Sequence, residues 1–309
     1  MRIKFTLNNH SGCTKCFDFF CGLCGNSFAT KLKWNSHPCQ NVMRPNAMDK
    51  KKRPINQIVL KDCLQGLSEL PNESADIIIC DPPYNIGKDF GNDSDKQIFS
   101  DYLIWCEKWI VECVRVLKPT GTMYIYGWSE TLAHLSVRVP ISFRWIVWHY
   151  ANKVSPSLNF WQRTHESILV CYKQKPTFNR DDVREPYSNH YLESNGKVRK
   201  ATKGRFSDGT KKTVYKVHPK GALPRDVLKI PALAGGAGSN ERVDHPTQKP
   251  LALCRKLIEA SRNKVGDTFL LVPFAGSSSE CVSAQSLGVS FLGFEINPEY
   301  VSLSNERLL

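Results

Sequence analysis

At 309 residues with 41% hydrophobic content, the chain can bury a full core and carry a small appendage, and it has no apolar run long enough to cross a bilayer. The formal net charge of +13 favours a polyanionic partner through counterion release and long-range steering. Twelve cysteines, five of them before residue 40 and the rest scattered among apolar neighbours, argue against a disulfide framework and for a reducing compartment.

The opening Met1-Arg2-Ile3-Lys4 runs straight into polar residues. It lacks the apolar segment of a signal peptide, so a cytoplasmic location is expected. Residues 13 to 39 place Cys13, Cys16, Cys21, Cys24, His37 and Cys39 at metal-ligand spacings, and zinc takes four thiolate or imidazole ligands in a tetrahedron. The preferred set is Cys21, Cys24, His37 and Cys39, with Cys13 or Cys16 as replacements for the last. The stretch resembles a Cys2His2 zinc finger, with Phe28 and Trp34 at its core positions, but a single residue separates the last two ligands. A zinc-binding-like module over 1–43 is therefore expected, followed by a basic, proline-bounded linker over 44–54.

From residue 55 the pattern is that of an α/β domain. Gln57 to Leu60 reads as a short strand and Ala75 to Ile79 as a buried one. The two prolines of Cys80-Asp81-Pro82-Pro83-Tyr84-Asn85 then force the chain into a rigid turn. A carboxylate and an aromatic ring are thereby fixed at a strand's C-terminal end, the rim where open α/β sheets bind ligands. Residues 87 to 93 read as a mobile loop. Leu103, Cys106, Ile110, Cys113, Val114 and Leu117 recur at helical spacing up to a stop at Lys118-Pro119-Thr120-Gly121, and strands follow at 122–126, 144–149 and 167–172. Such alternation predicts a largely parallel sheet.

Residues 174–241 break the rhythm with Lys197, Arg199, Lys200, Lys203, Arg205, Lys211 and Lys212, interleaved with Tyr187, Tyr191, Phe206 and Tyr215. This composition suits a phosphate-gripping, base-stacking insert, or a disordered one. Regularity returns at His245-Pro246-Thr247-Gln248-Lys249-Pro250, then a helix through Leu253, Leu257 and Ile258, and a strand at 268–272. A small-residue turn, Pro273-Phe274-Ala275-Gly276-Ser277-Ser278-Ser279, leads through a helix to a strand ending in Glu295. This βαβ unit suits a nucleoside: the turn admits close approach to backbone, and the terminal carboxylate can accept from a ribose diol.

In this order, Asp81-Pro82-Pro83-Tyr84, the block from His245 to Pro250, the turn from Pro273 to Ser277 and Gly293-Phe294-Glu295 together resemble the β-class DNA amino-methyltransferases. The resemblance covers about residues 57 to 309. It implies a Rossmann-like S-adenosylmethionine methyltransferase sheet over 55–309, circularly permuted so that the cofactor turn follows the catalytic one, with 174–241 as target-recognition insert. It implies that Asp81 and the Pro82 carbonyl accept from the target amino group, that Pro83 rigidifies the turn and that Tyr84 stacks on the base. The cofactor residues it implies are Asp62, Cys80, Asp81, Thr247, Lys249, Phe274, Ala275, Gly276, Ser277 and Glu295, and Arg163 to Glu166 would shape the target pocket.

The expected activity is methylation of adenine N6 in a specific double-stranded DNA sequence, of restriction-modification type, with cytosine N4 as the alternative. Aspartate at position 81 favours adenine. Expected partners are double-stranded DNA, a second copy of the chain and a cognate restriction endonuclease. Two departures matter: Val272 stands where the family usually has an acid, and Ser278 where it has a glycine. They leave open a weakened, DNA-binding pseudomethyltransferase. Asp81→Ala is expected to abolish transfer and leave the fold intact.

Overall fold

The computed structural model describes residues 55–90, 95–152, 157–205 and 207–309. The zinc-ligand candidates Cys21, Cys24, His37 and Cys39, the linker at 44–54, most of the loop tip at 91–93 and Phe206 lie outside the described residues. Among the described residues no metal-holding cluster of His, Cys, Asp or Glu occurs, and no helix is long and apolar enough to cross a membrane.

In chain order the elements are β1 (Gln57–Leu60), α1 (Cys63–Glu69), β2 (Ala75–Cys80), α2 (Phe99–Val116), β3 (Leu117–Gly127), α3 (Ser129–Ser136), β4 (Ser142–His149) and β5 (His165–Tyr172). They continue with α4 (Asn189–Glu193), β6 (Val198–Lys200), β7 (Lys212–Val214), β8 (Val227–Lys229), α5 (Leu251–Ser261), β9 (Phe269–Val272), α6 (Ser279–Ser286), β10 (Ser290–Glu295) and α7 (Pro298–Arg307). Eight strands form one sheet in the order β1-β10-β9-β2-β3-β5-β4-β8, and β6 and β7 pair by themselves. The run from β1 to β3 is parallel, with Ile77 opposite Leu270 and Ile79 opposite Tyr124. Strand β5 pairs antiparallel with both β3 and β4, and β8 closes the edge parallel to β4.

Period-two alternation divides the core into two layers. Ile78 and Cys80 of β2 pack with α1, α2 and α3 on one face, whereas Ile77 and Ile79 pack with α5 and α6 on the other. Helix α2 buries Leu103, Cys106, Ile110 and Cys113 of the expected stripe together with Tyr102, Trp109 and Val116, while Val114 is half-buried and Leu117 falls in β3. All seven cysteines of this domain are buried and unpaired.

Three features differ from the sequence expectation. Lys118 to Gly121 end α2 but lie inside β3, where the register against β2 slips between Ala75 and Ile77; a bulge absorbs the proline that a regular ladder would exclude. The loop after Tyr84 is anchored over its described part, because buried Asp95 accepts from the backbone N–H groups of Asn85, Ile86 and Lys88. Within 174–241 the ends belong to the body: Asn179 donates to the carbonyls of Glu259 and Arg262 at the end of α5, and β8 joins the main sheet. A bridge between Glu185 and Ala222 closes off the protruding part.

Chain direction explains where a ligand fits. From β2 the chain crosses through α2 to β3 on one side, and from its neighbour β9 it crosses through α6 to β10 on the other. The crevice left outside the C-terminal ends of β2 and β9 is the switch point of a doubly wound sheet.

Candidate active site

Two turns meet at this switch point and line one cleft. Asp81, Pro82, Pro83 and Tyr84 come from the end of β2, and Phe274, Ala275, Gly276 and Ser277 from the end of β9; Thr247, Lys249 and Glu295 complete the expected residues that line it. Asp62 and Cys80 do not. The Asp62 carboxylate caps α1, accepting from the N–H groups of Leu64 and Gln65 at 2.9 and 3.2 Å. The Cys80 thiol points away into the α2 layer, 4.0 Å from the Cys113 sulfur, because strand alternation sends it to the opposite face from Ile79.

The first turn is held by side chains. The Tyr102 hydroxyl of α2 donates to the Pro83 carbonyl at 2.8 Å. Tyr84 donates to Asp81 Oδ1 at 2.7 Å, with Glu166 Oε2 3.2 Å away. A phenol has one proton to give, so Asp81 is the firmer partner. Lys249, only 3% exposed, donates to Asp81 Oδ2 at 2.7 Å and lies 3.7 Å from Glu166. Burial works against its charge, but Asp81 and then Glu166 outweigh it and hold its pKa above the ordinary lysine value. Burial, then the same two carboxylates, push the Tyr84 phenol well up, so it stays a donor.

The second turn is held chiefly through its main-chain groups, which bond side chains of β10 and α7. Gly276 sits at φ +49, and a Cβ there would meet His245 Nε2 at 2.8 Å. Its N–H donates to Glu295 Oε2 at 2.7 Å, and Glu295 Oε1 accepts from Ile296 and Asn297. Burial raises the Glu295 pKa, with these backbone donors opposing. Ser278 takes the left-handed conformation at φ +59. Its N–H reaches the Ala275 carbonyl and its buried hydroxyl donates to Ser304 at 2.6 Å. The serine thus adopts the left-handed turn, at a conformational cost of about 1 kcal/mol. Val272 is fully buried beneath the turn.

Of the lining residues given no role by the sequence, Glu280, His245 and Asp95 bear most on the site. Glu280, in the first turn of α6, brings a buried carboxyl whose pKa is pushed up to about 7, by burial first and then by Asp81. Its Oε1 accepts from the Cys254 thiol at 3.5 Å. His245 packs between Phe90 and Tyr300, at 6.0 and 4.7 Å between ring centres, and burial lowers its pKa to about 4, so the imidazole is neutral near pH 7. Asp95 accepts from the backbone of Asn85, Ile86 and Lys88 just after the Tyr84 turn. A buried acid beside strand-end motifs is the signal that could have picked out Glu280, but helical position 280 reads as surface until the tertiary packing is known. Of the block from Arg163 to Glu166, only Glu166 reaches the turn. His165 pairs with Ser129 at 3.2 Å, and Arg163 lies 4.3 Å from the Trp128 ring.

A doubly wound sheet carrying an acidic Asp-Pro-Pro-Tyr turn and a glycine-containing turn at one switch point defines a Rossmann-like methyltransferase fold. Solved DNA methyltransferases share it. The cytosine-N4-specific PvuII DNA methyltransferase superposes with a TM-score of 0.56 at 17% identity, covering 82% of this chain and 86% of that one. An M1.HpyAVI–SAM complex superposes at 0.50 with 21% identity, covering 81% and 98%.

The DNA methylase family model for N6 and N4 methyltransferases matches residues 75–306, and the chain belongs to that family. The type II methyltransferase M.HpaI of Haemophilus parainfluenzae is 33% identical over 82% of this chain and 74% of its own length. The DNA adenine methyltransferase YhdJ of Escherichia coli K12 is 32% identical over 81% of this chain and 82% of its own.

Proposed function

We propose that this DNA methylase transfers a methyl group from S-adenosylmethionine to adenine N6 in a specific DNA sequence. The observation that carries this reading is the convergence of the Asp81 turn and the Gly276 turn on one cleft. The cleft's residues fit the donor: the missing Cβ at Gly276 leaves room beside His245, Phe274 offers a ring and Glu295 a carboxylate at the strand tip. Bound there, S-adenosylmethionine supplies an electrophilic methyl on a sulfonium. The neutral His245 adds no positive charge against it.

An exocyclic amine is a poor nucleophile because its lone pair is delocalised into the ring. Asp81 and the Pro82 carbonyl, as two acceptors for its N–H groups, draw the nitrogen toward a pyramidal form and free the lone pair. Both Asp81 oxygens are engaged before substrate arrives, one by Tyr84 and one by Lys249. In this reading the target amine takes the place of the Tyr84 hydroxyl at Oδ1, and the released ring covers the base. Lys249 stays on Oδ2 and keeps the carboxylate oriented. As the nitrogen–methyl bond forms, the nitrogen loses a proton, and Asp81 is the acceptor already bonded to it.

The protruding segment between Glu185 and Ala222 supports DNA as the substrate. Its β6–β7 hairpin exposes Arg199, Lys200 and Lys212, suited to phosphates. Its tyrosines contact one another, Tyr187 stacked on Tyr191 at 4.6 Å and Tyr191 edge-on to Tyr215, as a half-buried cluster. The restriction-modification setting, with a cognate endonuclease, belongs to the same reading, and so does the division into a 1–43 module, a linker and a catalytic domain.

The test is incubation of DNA with the protein and labelled S-adenosylmethionine, followed by hydrolysis to nucleosides. Labelled N6-methyladenine is expected. Label in N4-methylcytosine alone moves the activity to the cytosine alternative, and label in neither, with DNA binding retained, means a pseudoenzyme.

A further inference from the structure

Between β4 and β5 the chain exposes three large apolar side chains in close succession. Leu158 is 98% exposed, Phe160 78% and Trp161 87%. Water-exposed rings of this size are unusual unless a partner covers them. Their position relative to the site suggests what that partner is. Thr164, three residues beyond Trp161, is fixed, its carbonyl bonded to the Tyr150 N–H at 2.9 Å and to His149 Nδ1 at 3.0 Å. Arg163 is clamped by Glu130 at 2.7 Å and by the Trp128 ring. Glu166, at the start of β5, already touches the Tyr84 hydroxyl. Glu166 lies five positions after Trp161, a reach of at most about 18 Å. The apolar tip therefore rides on a rigid base beside the target turn.

Charge narrows the choice of partner. Residues 157 to 165 hold no carboxylate and include Arg163, so nothing on the segment repels phosphate. A target base drawn from a duplex into the cleft leaves an unstacked gap and an orphaned partner base. Apolar wedges between base steps are a general means of holding such a distortion. Resting on the methyltransferase reading above, we propose that Phe160 and Trp161, with Leu158, form a wedge that enters the DNA stack and fills the place vacated by the target base. The partner committed to is duplex DNA at the target site. Stacking one ring on a base is worth about ten- to a hundredfold in binding, so the wedge favours the extrahelical target by a comparable factor.

The experiment has two stages. Wild-type protein first methylates plasmid DNA, and sequencing that detects modified bases reports the position. If the wild-type protein transfers no methyl group, the methyltransferase reading falls and takes the wedge with it. A short duplex containing the mapped site is then prepared with the target base either paired or mispaired, and kcat/KM is compared for wild type and the Phe160→Ala/Trp161→Ala variant.

The expected result is a ten- to hundredfold loss on the paired duplex and a loss within about threefold on the mispaired one, where opening costs less. Trp161→Tyr, which keeps a ring, should retain most of the activity on paired DNA. 2-Aminopurine at the target position should brighten less with the double variant. Unchanged activity on the paired duplex overturns the proposal. So does an equal loss on both duplexes, the signature of a general binding or folding defect. Sedimentation showing a wild-type dimer and a monomeric variant assigns the patch to a second copy of the chain instead, and overturns it as well.

Discussion

The turns after β2 and β9 sit side by side and differ in what they present to the cleft. The Asp81 turn is stiffened by two prolines and held by side chains drawn from distant parts of the chain: Tyr102, Glu166 and Lys249. The Gly276 turn folds back on itself through left-handed residues at 276 and 278 and the Ser278 N–H to the Ala275 carbonyl, and side chains from later elements, Glu295, Ser304 and Arg307, grip its main chain and the Ser278 hydroxyl. One presents functional side chains, and the other clears them away so that a ligand can approach the main chain. Chemistry on an amine needs placed acceptors, whereas holding a nucleoside needs room and backbone donors.

Mutations should separate the two turns. The largest effect is expected at Asp81. Asp81→Asn keeps the shape of the side chain, and methyl transfer should fall about 10²- to 10³-fold with little change in donor binding, measured by single-turnover transfer and by calorimetry. Asp81→Ala is a poorer probe than the sequence suggests, because it strips buried Lys249 of its nearest partner. That variant should also lose about 3 kcal/mol of stability in denaturant melts, which confounds its activity.

Gly276→Ala attacks the other turn. The added methyl has both the wrong φ and only 2.8 Å to His245 Nε2, so donor affinity should drop at least tenfold, read as KM or Kd for S-adenosylmethionine, with DNA binding retained. An effect on DNA binding alone would dissolve the distinction between the turns.

Glu280→Gln tests the carboxyl behind both turns through pH. The Glu280 pKa of about 7 lies above its ordinary 4.5, so the folded chain holds this proton over a range where the unfolded chain has lost it. Its contribution to stability is full below pH 4.5 and disappears as the pH rises to 7. Glutamine has no such proton to lose. The difference in melting temperature, variant minus wild type, should therefore grow from pH 4.5 to 7 and level off above. His245 titrates in both proteins and cancels.

The smallest effect is expected at Ser278→Gly, which relieves about 1 kcal/mol of left-handed strain but gives up the bond to Ser304. Stability should change by no more than about 1 kcal/mol in either direction, and donor affinity should be unchanged. A large gain in donor affinity would mean that the serine distorts the turn.

Much of the molecule is legible without coordinates where the signal is local. The apolar run from Ala75 to Ile79, the prolines after it and the strand-turn-helix around Gly276 declare themselves through periodicity and backbone chemistry, and each appears at the expected place. Helices α1, α3 and α7 were not legible in this way. Two of them are only seven and eight residues long, too short for a helical stripe to stand out, and α7 buries little of its surface.

Sequence alone determined the class of fold, the Asp81 turn and its order relative to the Gly276 turn, because these motifs are runs of neighbouring residues. Only the tertiary structure decided which way the Cys80 thiol points, that Asp62 is spent on a helix cap, and that Lys249 closes on Asp81 across 168 positions of chain. Strand alternation selects a face only once the sheet is assembled. A buried ion pair forms only when the strand ends at 81 and the segment at 249 are brought to the same switch point, where Coulomb attraction in a water-poor cleft outweighs the loss of hydration.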